Sequence, residues 1–246
     1  MSAPRILVAA TLALLLAARP AGAVVGPTIS DPGLGAHVIM VLMRKGAAAG
    51  FCSGVVVARN AVLTAAHCVT RPARMRLFYR DAGHPVMLDV ARIAVNPGYH
   101  ADAQIKRIRT VDLALVESAV PLPARFQPAQ FSARDEARLH ETFLIAGYGM
   151  GREHDPASTG VLRVARIETR APLSHILLWA QDPGHDGAGA CEGDSGAPIF
   201  AAATHRVLAI TAWADGHGRH VCGAFTQGTF TAPQRGWIKR VLQSWR

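Results

Sequence analysis

Short apolar runs, separated by glycine, proline and charged residues, recur along almost the whole chain. They are too short for typical helices and have the lengths of β-strands. The first six runs are His37–Met43, Phe51–Ala58, Ala61–Ala66, Met75–Tyr79, Met87–Val95 and Leu113–Val116. The second six are Phe143–Ala146, Val161–Ile167, Ile176–Ala180, Pro198–Ala201, Val207–Trp213 and Gly223–Thr226. The pattern therefore predicts an all-β protein in two halves, each a barrel or a sandwich.

Two stretches depart from the strand pattern. Pro121–Pro128 is bounded by prolines and connects the two halves. After Pro233, apolar residues recur on one face of a helix, at Trp237, Ile238, Val241, Leu242 and Trp245. We therefore expect a first half at about 36–122, a second half at about 129–230 and a C-terminal helix at about 233–245.

The first 23 residues have the pattern of a secretory signal peptide. Arg5 precedes an apolar run, Ile6–Ala18, that is shorter than the roughly 20 residues of a membrane span. Ala21-Gly22-Ala23 then matches a small-residue cleavage site. We expect a signal peptide at 1–23, a mature domain at 24–246 and a secreted or periplasmic location. An uncleaved anchor is the alternative, and Arg19 at the end of the apolar run disfavours it.

The composition is that of a folded domain. Of 246 residues, 50% are hydrophobic and 17% are charged, which excludes a disordered or fibrous chain. The formal net charge of +9 would attract acidic polymers or anionic membranes if the basic residues formed a cluster. They are scattered instead, which favours a solvated basic surface. We expect no nucleic-acid partner and no stable membrane span.

Three short motifs supply the residues of a nucleophilic serine site. In chain order they are Thr64-Ala65-Ala66-His67-Cys68, Asp112-Leu113-Ala114-Leu115 and Gly193-Asp194-Ser195-Gly196. A serine hydroxyl needs an imidazole to take its proton and a carboxylate to orient that imidazole. We predict Ser195 as the nucleophile, His67 as the general base and acid, and Asp112 as the orienting carboxylate. Asp102 is the alternative acid, but it lies in a polar stretch, whereas Asp112 opens an apolar strand.

The order His, Asp, Ser resembles that of the chymotrypsin/trypsin family of serine proteases. Further stretches similar to that family's motifs are Phe51-Cys52-Ser53-Gly54, Asn96-Pro97-Gly98-Tyr99, Gly147-Tyr148-Gly149 and Ala212-Trp213-Ala214. The family's Ser-Trp-Gly has a serine where this chain has Ala212, which removes one hydrogen bond expected at the catalytic Asp. The resemblance implies two six-stranded antiparallel β-barrels with a C-terminal helix, and a serine endopeptidase with its site between the barrels.

The resemblance also implies roles for the residues beside the nucleophile. The backbone N–H groups of Gly193 and Ser195 would bind the oxyanion of the tetrahedral intermediate. Cleavage after Ala23 would expose Val24, whose ammonium would enter the protein and pair with Asp194. Signal peptidase would then generate the active enzyme without a propeptide.

Four cysteines allow three disulfide pairings. Joining Cys52 to Cys68 and Cys191 to Cys222 closes the two shortest loops, and the resemblance implies the same pairing. One bridge would hold the loop that carries the catalytic His, and the other would brace the specificity pocket.

By the same resemblance, the pocket for the substrate side chain is neutral. The predicted pocket residues are Gly189, Ala190, Glu192, Trp213, Ala214 and Gly223. Gly189 at the base argues against selectivity for Arg or Lys, and an apolar side chain of intermediate to large size should fit. Glu192 at the rim should disfavour acidic substrates. Asp186 is an alternative acid, three residues from the expected register.

His217, His220 and Cys222 lie close together in the chain and raise the alternative of a zinc site. We favour a disulfide for Cys222 and solvated histidines, and expect neither metal nor cofactor. The expected partners are protein or peptide substrates and a protein inhibitor, and the expected state is a monomer. Two other functions stay open. One is a catalytically weak or silent homologue that binds anionic surfaces, and the other is an esterase or narrow processing protease.

Overall fold

The described part of the protein contains two closed, antiparallel β-barrels of six strands each. The computed structural model describes residues 24–106 and 108–246. The predicted signal peptide at 1–23 lies outside the described residues. The predicted fold class is confirmed, and of the two architectures that the apolar pattern left open the barrel is the one observed.

The first barrel consists of β1 (Val38–Lys45), β2 (Ala48–Ala58), β3 (Ala61–Thr64), β4 (Met75–Asp81), β5 (His84–Val95) and β6 (Ala114–Ser118). Around the barrel the strands run β1-β2-β3-β6-β5-β4. β3 and β6 are antiparallel, with Thr64 opposite Ala114. The chain that follows β3 therefore lies beside the chain that precedes β6, and these two stretches hold His67 and Asp112.

The second barrel consists of β7 (Thr142–Gly147), β8 (Arg163–Thr169), β9 (Leu177–Gln181), β10 (Pro198–Ala201), β11 (Val207–Asp215) and β12 (Phe225–Phe230). Its strands run β10-β11-β12-β9-β8-β7, and β10 closes the barrel on β7. Because these two strands are antiparallel, the residues after Gly147 and the residues before Pro198 meet at one end of the barrel. Ser195 belongs to the second of these segments.

The strands differ from the predicted runs mainly at their ends. β3 stops at Thr64, because the chain turns there into a short 3₁₀ helix at Ala66–Cys68. The last predicted run, Gly223–Thr226, precedes most of β12, which continues to Phe230. Gly223 has a φ of +79°, a conformation that belongs to a turn rather than a strand.

Two α-helices complete the described fold: α1 (Ala103–Lys106) and α2 (Arg235–Ser244). A 3₁₀ turn at Ala232–Gln234 precedes α2, so the stretch predicted as a helix begins with this turn. Ile238 of α2 is buried, and Trp237, Val241, Leu242 and Trp245 pack beside it on the core. Among residues 24–106 and 108–246, no helix has the length and apolar character that a membrane crossing requires.

One apolar cluster joins the two barrels. It contains Leu63 and Leu113 from the first barrel, Leu144 and Phe200 from the second, and Ile238 from α2, all of them buried. A close-packed interior of this kind has low compressibility, so the two barrels cannot shift easily against each other. The barrels therefore hold their facing loops in a fixed relation, and the candidate site lies among those loops.

Candidate active site

His67 and Asp112 form a direct ion pair. His67 lies in the 3₁₀ turn after β3, and its Nδ1 is 2.6 Å from Asp112 Oδ2. The His67 backbone N–H donates to the other carboxylate oxygen, Oδ1, at 2.9 Å. Asp112 is only 9% exposed, whereas the His67 side chain is 37% exposed. The buried carboxylate thus fixes both the ring and the backbone of His67 and leaves the far side of the imidazole accessible.

Ala212, the residue expected to remove a hydrogen bond from Asp112, lies at an irregularity in β11. The pairing with β12 shifts register between Thr211 and Trp213. Within the described residues, both hydrogen bonds to the Asp112 carboxylate come from His67. Burial raises the pKa of the neighbouring Tyr99, and the negative charge of Asp112 raises it further. Asp112 is therefore held by His67 rather than by a hydroxyl of β11.

The segment that carries Ser195 packs directly on the first barrel. The Ser195 carbonyl accepts a hydrogen bond from the Ser53 N–H of β2 at 2.8 Å. A Cβ on Gly196 would lie 2.1 Å from Thr64 Oγ1 and 3.1 Å from the Ala65 nitrogen. Only a glycine fits between these groups, and its φ of +81° also favours glycine. This close approach brings the Ser195 segment against the end of β3, three residues before His67.

Gly193 also lies where no side chain fits. Its φ is +91°, and an added Cβ would lie 1.9 Å from the Phe51 ring. The Glu192 carbonyl accepts from the Met150 N–H at 2.8 Å, and the Gly193 carbonyl accepts from Ser53 Oγ at 3.1 Å. With these carbonyls engaged, the loop keeps a defined shape around the backbone N–H groups of Gly193 and Ser195.

Asp194 is fully buried behind this loop. Its carboxylate accepts from the N–H groups of Gly149 at 2.9 Å and Cys191 at 3.0 Å, and also from the Val24 N–H. Burial nevertheless raises the pKa of Asp194 from 3.8 to about 7. The neutral N–H donors and the more weakly acting positive charge of Arg163 offset only part of the cost of burying a carboxylate charge. A positive partner is the group that would complete this environment.

Val24 is inserted next to Asp194. It is fully buried, and Val25 forms an isolated β-bridge with Gly189. The Val24 carbonyl accepts a hydrogen bond from Arg163 Nη1 of β8 at 2.8 Å. Arg163 was not identified from the sequence, since a single arginine in a strand gives no local signal for a contact 139 residues away.

The predicted specificity residues do not all line one cleft. A cleft of about 1150 Å³ is walled by Trp213 and Gly223 from that set. Gly189 and Ala190 are buried, and Glu192 is exposed. Further residues of the cleft, missed from the sequence, are Trp179, Phe225, Glu153, Asp182, Asp215, Arg152 and Arg170. The alternative acid, Asp186, also lines it. Aromatic rings contact one another here, with Trp179 and Trp213 each next to Phe225.

Thr226 occupies the space beside Gly189. A Cβ on Gly189 would lie 3.2 Å from Thr226 Oγ1 and equally close to the Gly223 backbone. Thr226 Oγ1 also accepts a hydrogen bond from the Ala190 N–H at 3.1 Å. The space beside Gly189, the predicted base of the pocket, is thus neutral and partly filled by Thr226. This leaves less room than the predicted side chain of intermediate to large size would need.

Glu153 holds the loop that forms another wall of the cleft. Its carboxylate accepts from the N–H groups of Cys222 at 2.7 Å and Val221 at 2.8 Å, and lies 3.0 Å from His220 Nδ1. Burial opposes ionisation, but these hydrogen bonds together lower the pKa of Glu153. His220 and Cys222, two of the three residues considered for zinc, are therefore engaged by Glu153 and by a disulfide.

The disulfides join Cys52 to Cys68 and Cys191 to Cys222, the pairing expected from the shortest loops. Among the described residues, the one group of three potential metal ligands is Cys52, His67 and Cys68. Both sulfurs of that group are in the disulfide, so neither is a thiolate ligand. The first bridge ties β2 to the turn that carries His67, and the second ties the Ser195 loop to the wall of the cleft.

A model of the trypsin family matches residues 25–233, which includes the His67, Asp112 and Ser195 motifs. The chain belongs to the trypsin family. It is thus a member of a family of serine endopeptidases, with the chymotrypsin-like fold.

Individual relatives are distant. Venom serine protease Bi-VSP from Bombus ignitus is 26% identical over 175 residues, which is 61% of this chain and 47% of that protein. The chain thus spans about half the length of this curated relative. The scabies mite inactivated protease paralogue S-I1 has a TM-score of 0.70 at 20% identity, covering 89% of this chain and 99% of that one. Neuropsin, a serine protease of mouse brain, has a TM-score of 0.65 at 21% identity, covering 82% and 93%.

These structural similarities show the fold. One of the two solved structures is described as an inactivated paralogue, so a shared trypsin fold does not by itself decide catalysis.

Proposed function

We propose that the mature chain is a secreted serine endopeptidase that cleaves peptide bonds through an acyl-enzyme. The observation that carries this proposal is the two-point contact between His67 and the buried Asp112 at the end of the barrel where the Ser195 segment packs. A buried carboxylate on Nδ1 fixes the imidazole tautomer, so that Nε2 is the nitrogen that accepts a proton.

In this mechanism His67 removes the Ser195 hydroxyl proton as the oxygen attacks the substrate carbonyl. The N–H groups of Gly193 and Ser195 stabilise the oxyanion, which typically accounts for about 100- to 1,000-fold in turnover per donor. Protonated His67 then donates its proton to the leaving amine, the amine departs, and the acyl-enzyme remains. A water molecule, deprotonated by His67, hydrolyses the ester and restores Ser195.

The same proposal assigns activation to signal-peptide cleavage. Removal of residues 1–23 would turn the Val24 amide into an ammonium at the position where its N–H already contacts Asp194. The Val24 ammonium would then form an ion pair with the Asp194 carboxylate, whose charge is otherwise poorly compensated. This ion pair would favour the ordered oxyanion loop. N-terminal sequencing of the secreted protein should give Val24, and a start several residues away contradicts this route.

For the substrate we propose a neutral, apolar side chain before the scissile bond. The absence of an acid at Gly189 supports this, and Thr226 beside it favours a side chain of smaller size than the sequence suggested. Protein or peptide substrates outside the cell are consistent with the two disulfides and with the venom serine protease among the relatives. A cleavage profile on a peptide library measures this preference directly.

The decisive experiment is labelling of the processed protein with a fluorophosphonate probe, compared with Ser195→Ala. We expect labelling of the parent and none of the variant, together with hydrolysis of a denatured protein substrate by the parent alone. Thermal unfolding of both proteins shows that each is folded.

A folded, correctly processed parent that does not label would reject the endopeptidase. Binding of that protein to anionic vesicles would then support the silent homologue with a basic surface. Labelling with turnover of p-nitrophenyl esters but not of peptides would support the esterase.

A further inference from the structure

Three consecutive residues after β7, Tyr148, Gly149 and Met150, lie alongside residues 192–194, the segment that precedes Ser195. Gly149 N–H binds the Asp194 carboxylate, and Met150 N–H binds the Glu192 carbonyl. The first of the three, Tyr148 N–H, points at the hydroxyl of Ser53 at 2.9 Å. Two of the three N–H groups therefore bind residues 192–194 directly. The third, that of Tyr148, is connected to them through the side chain of Ser53, which belongs to the first barrel.

Ser53 Oγ transmits that contact to Gly193. It accepts from Tyr148 N–H and donates to the Gly193 carbonyl at 3.1 Å. Ser53 is fully buried in β2. Its own N–H donates to the Ser195 carbonyl, and its carbonyl accepts from Thr64 Oγ1 at 2.7 Å. Every polar group of Ser53 is thus engaged, and two of its hydrogen bonds go to the segment 193–195.

The backbone conformation of Gly193 has to be fixed by hydrogen bonds from neighbouring segments. A glycine lacks the Cβ that restricts φ and ψ, so its own sterics do not fix the direction of its N–H. The peptide plane before Gly193 is held through the Glu192 carbonyl, and the plane after it through the bond from Ser53. If the Ser53 hydroxyl is removed, the Gly193 carbonyl and the Tyr148 N–H both lose a buried hydrogen-bond partner. The loop can then adopt conformations other than the observed one.

We propose that the Ser53 hydroxyl is a positioning residue for the oxyanion-binding loop, which it links to the segment after β7 across the seam between the barrels. The proposal rests on the endopeptidase function proposed above. The family's Phe-Cys-Gly-Gly motif has a glycine at the position of Ser53 and offers no hydroxyl there. It touches no substrate and acts through the Gly193 backbone.

The test is Ser53→Ala in the processed protein, with kcat and KM measured on a p-nitrophenyl ester and the rate of fluorophosphonate labelling measured in parallel. Both the ester oxyanion and the phosphonyl oxygen would use the same N–H donors. We expect kcat and the labelling rate to fall together by about 10-fold, with KM unchanged, since one buried hydrogen-bond relay is lost. Ser53→Thr, which restores a hydroxyl, should recover most of both rates.

Ser132→Ala is the matched control. Ser132 is also buried, and its hydroxyl accepts a hydrogen bond from the Arg134 N–H, remote from the Ser195 loop. It should leave both rates unchanged whatever it does to the melting temperature. If Ser53→Ala does not fold, Ser53→Cys, of similar shape and with a weak donor, replaces it in the comparison.

An active parent with unchanged rates in the folded Ser53 variant overturns this inference and leaves the proposed function intact. A loss of rate that Ser53→Thr does not recover assigns Ser53 a packing role only and also overturns it. A parent that neither labels nor hydrolyses the ester rejects the proposed function itself.

Discussion

His67 and Asp112 illustrate how much of this site depends on single atoms. Asp112 uses one oxygen for the ring and one for the backbone of the same histidine, so two hydrogen bonds hold one residue. The hydroxyl that the family's serine would have offered is absent at Ala212. Asp112 is therefore the group that orients the His67 ring through Nδ1.

Asp112→Asn should retain the fold and lose most of the activity. An amide has nearly the same shape, but its NH₂ group cannot accept the Nδ1 proton, so the imidazole is left with the wrong tautomer. We expect kcat to fall by roughly 10⁴-fold at neutral pH, with a small change in melting temperature. Steady-state kinetics with a peptide substrate measure this change in kcat. Asp102→Asn, at the alternative acid, is the control and should keep kcat within a factor of about two.

The strands show which features of an element can be read from local sequence. All twelve observed strands overlap a predicted run, because burial of alternate or consecutive apolar residues produces a pattern within a few residues. Their ends were less well predicted. β3 stops early and β12 starts late because turn geometry at Ala65 and Gly223 depends on contacts with other segments.

The C-terminal helix α2 was also predicted from its apolar face, and that face contributes to the joint core. Ile238→Ala should lower the free energy of unfolding by about 2–5 kcal/mol, because it leaves a cavity in a buried cluster. Urea denaturation followed by tryptophan fluorescence measures the change. Lys239→Ala, at the exposed neighbouring position, should stay within about 0.5 kcal/mol of the parent. Equal stability of the two variants would show that α2 is not part of the cooperative core.

At the scale of the molecule, Asp194 connects the buried Val24 with two loops of the second barrel. This carboxyl has a pKa raised to about 7 by burial, and it contacts the loop after β7, the Ser195 loop and Val24. Its protonation state in the folded protein therefore depends on whether Val24 is an amide or an ammonium.

We predict different pH dependences of stability for a chain that begins at Val24 and one extended before Val24 by a Gly-Ser tag. In the extended chain, the unfolded state loses the Asp194 proton near pH 3.8 and the folded state keeps it up to about 7. Its free energy of unfolding should therefore fall between pH 4 and 7, by on the order of 4 kcal/mol. In the processed chain the ammonium keeps the carboxylate ionised, and this decrease should be absent.

Urea unfolding at pH 4.5 and pH 7.5 measures the two slopes. Asp194→Asn in the extended chain removes the titrating group and is the control for all other groups. The idea is wrong if the extended chain keeps the same slope after that substitution.

The sequence by itself predicted the strands, the C-terminal helix and the disulfide pairing that closes the shortest loops, and the structure contains all of them, since each depends on residue type and local spacing. The roles of His67, Asp112 and Ser195 are proposed on the same local basis. Only the tertiary structure decided that Thr226 fills the space beside Gly189, that Arg163 holds Val24 and that Ser53 links Tyr148 to Gly193. The physical reason is distance along the chain. Ser53 meets Gly193 across 140 residues and Tyr148 across 95, and such contacts exist only after both barrels have closed and packed together.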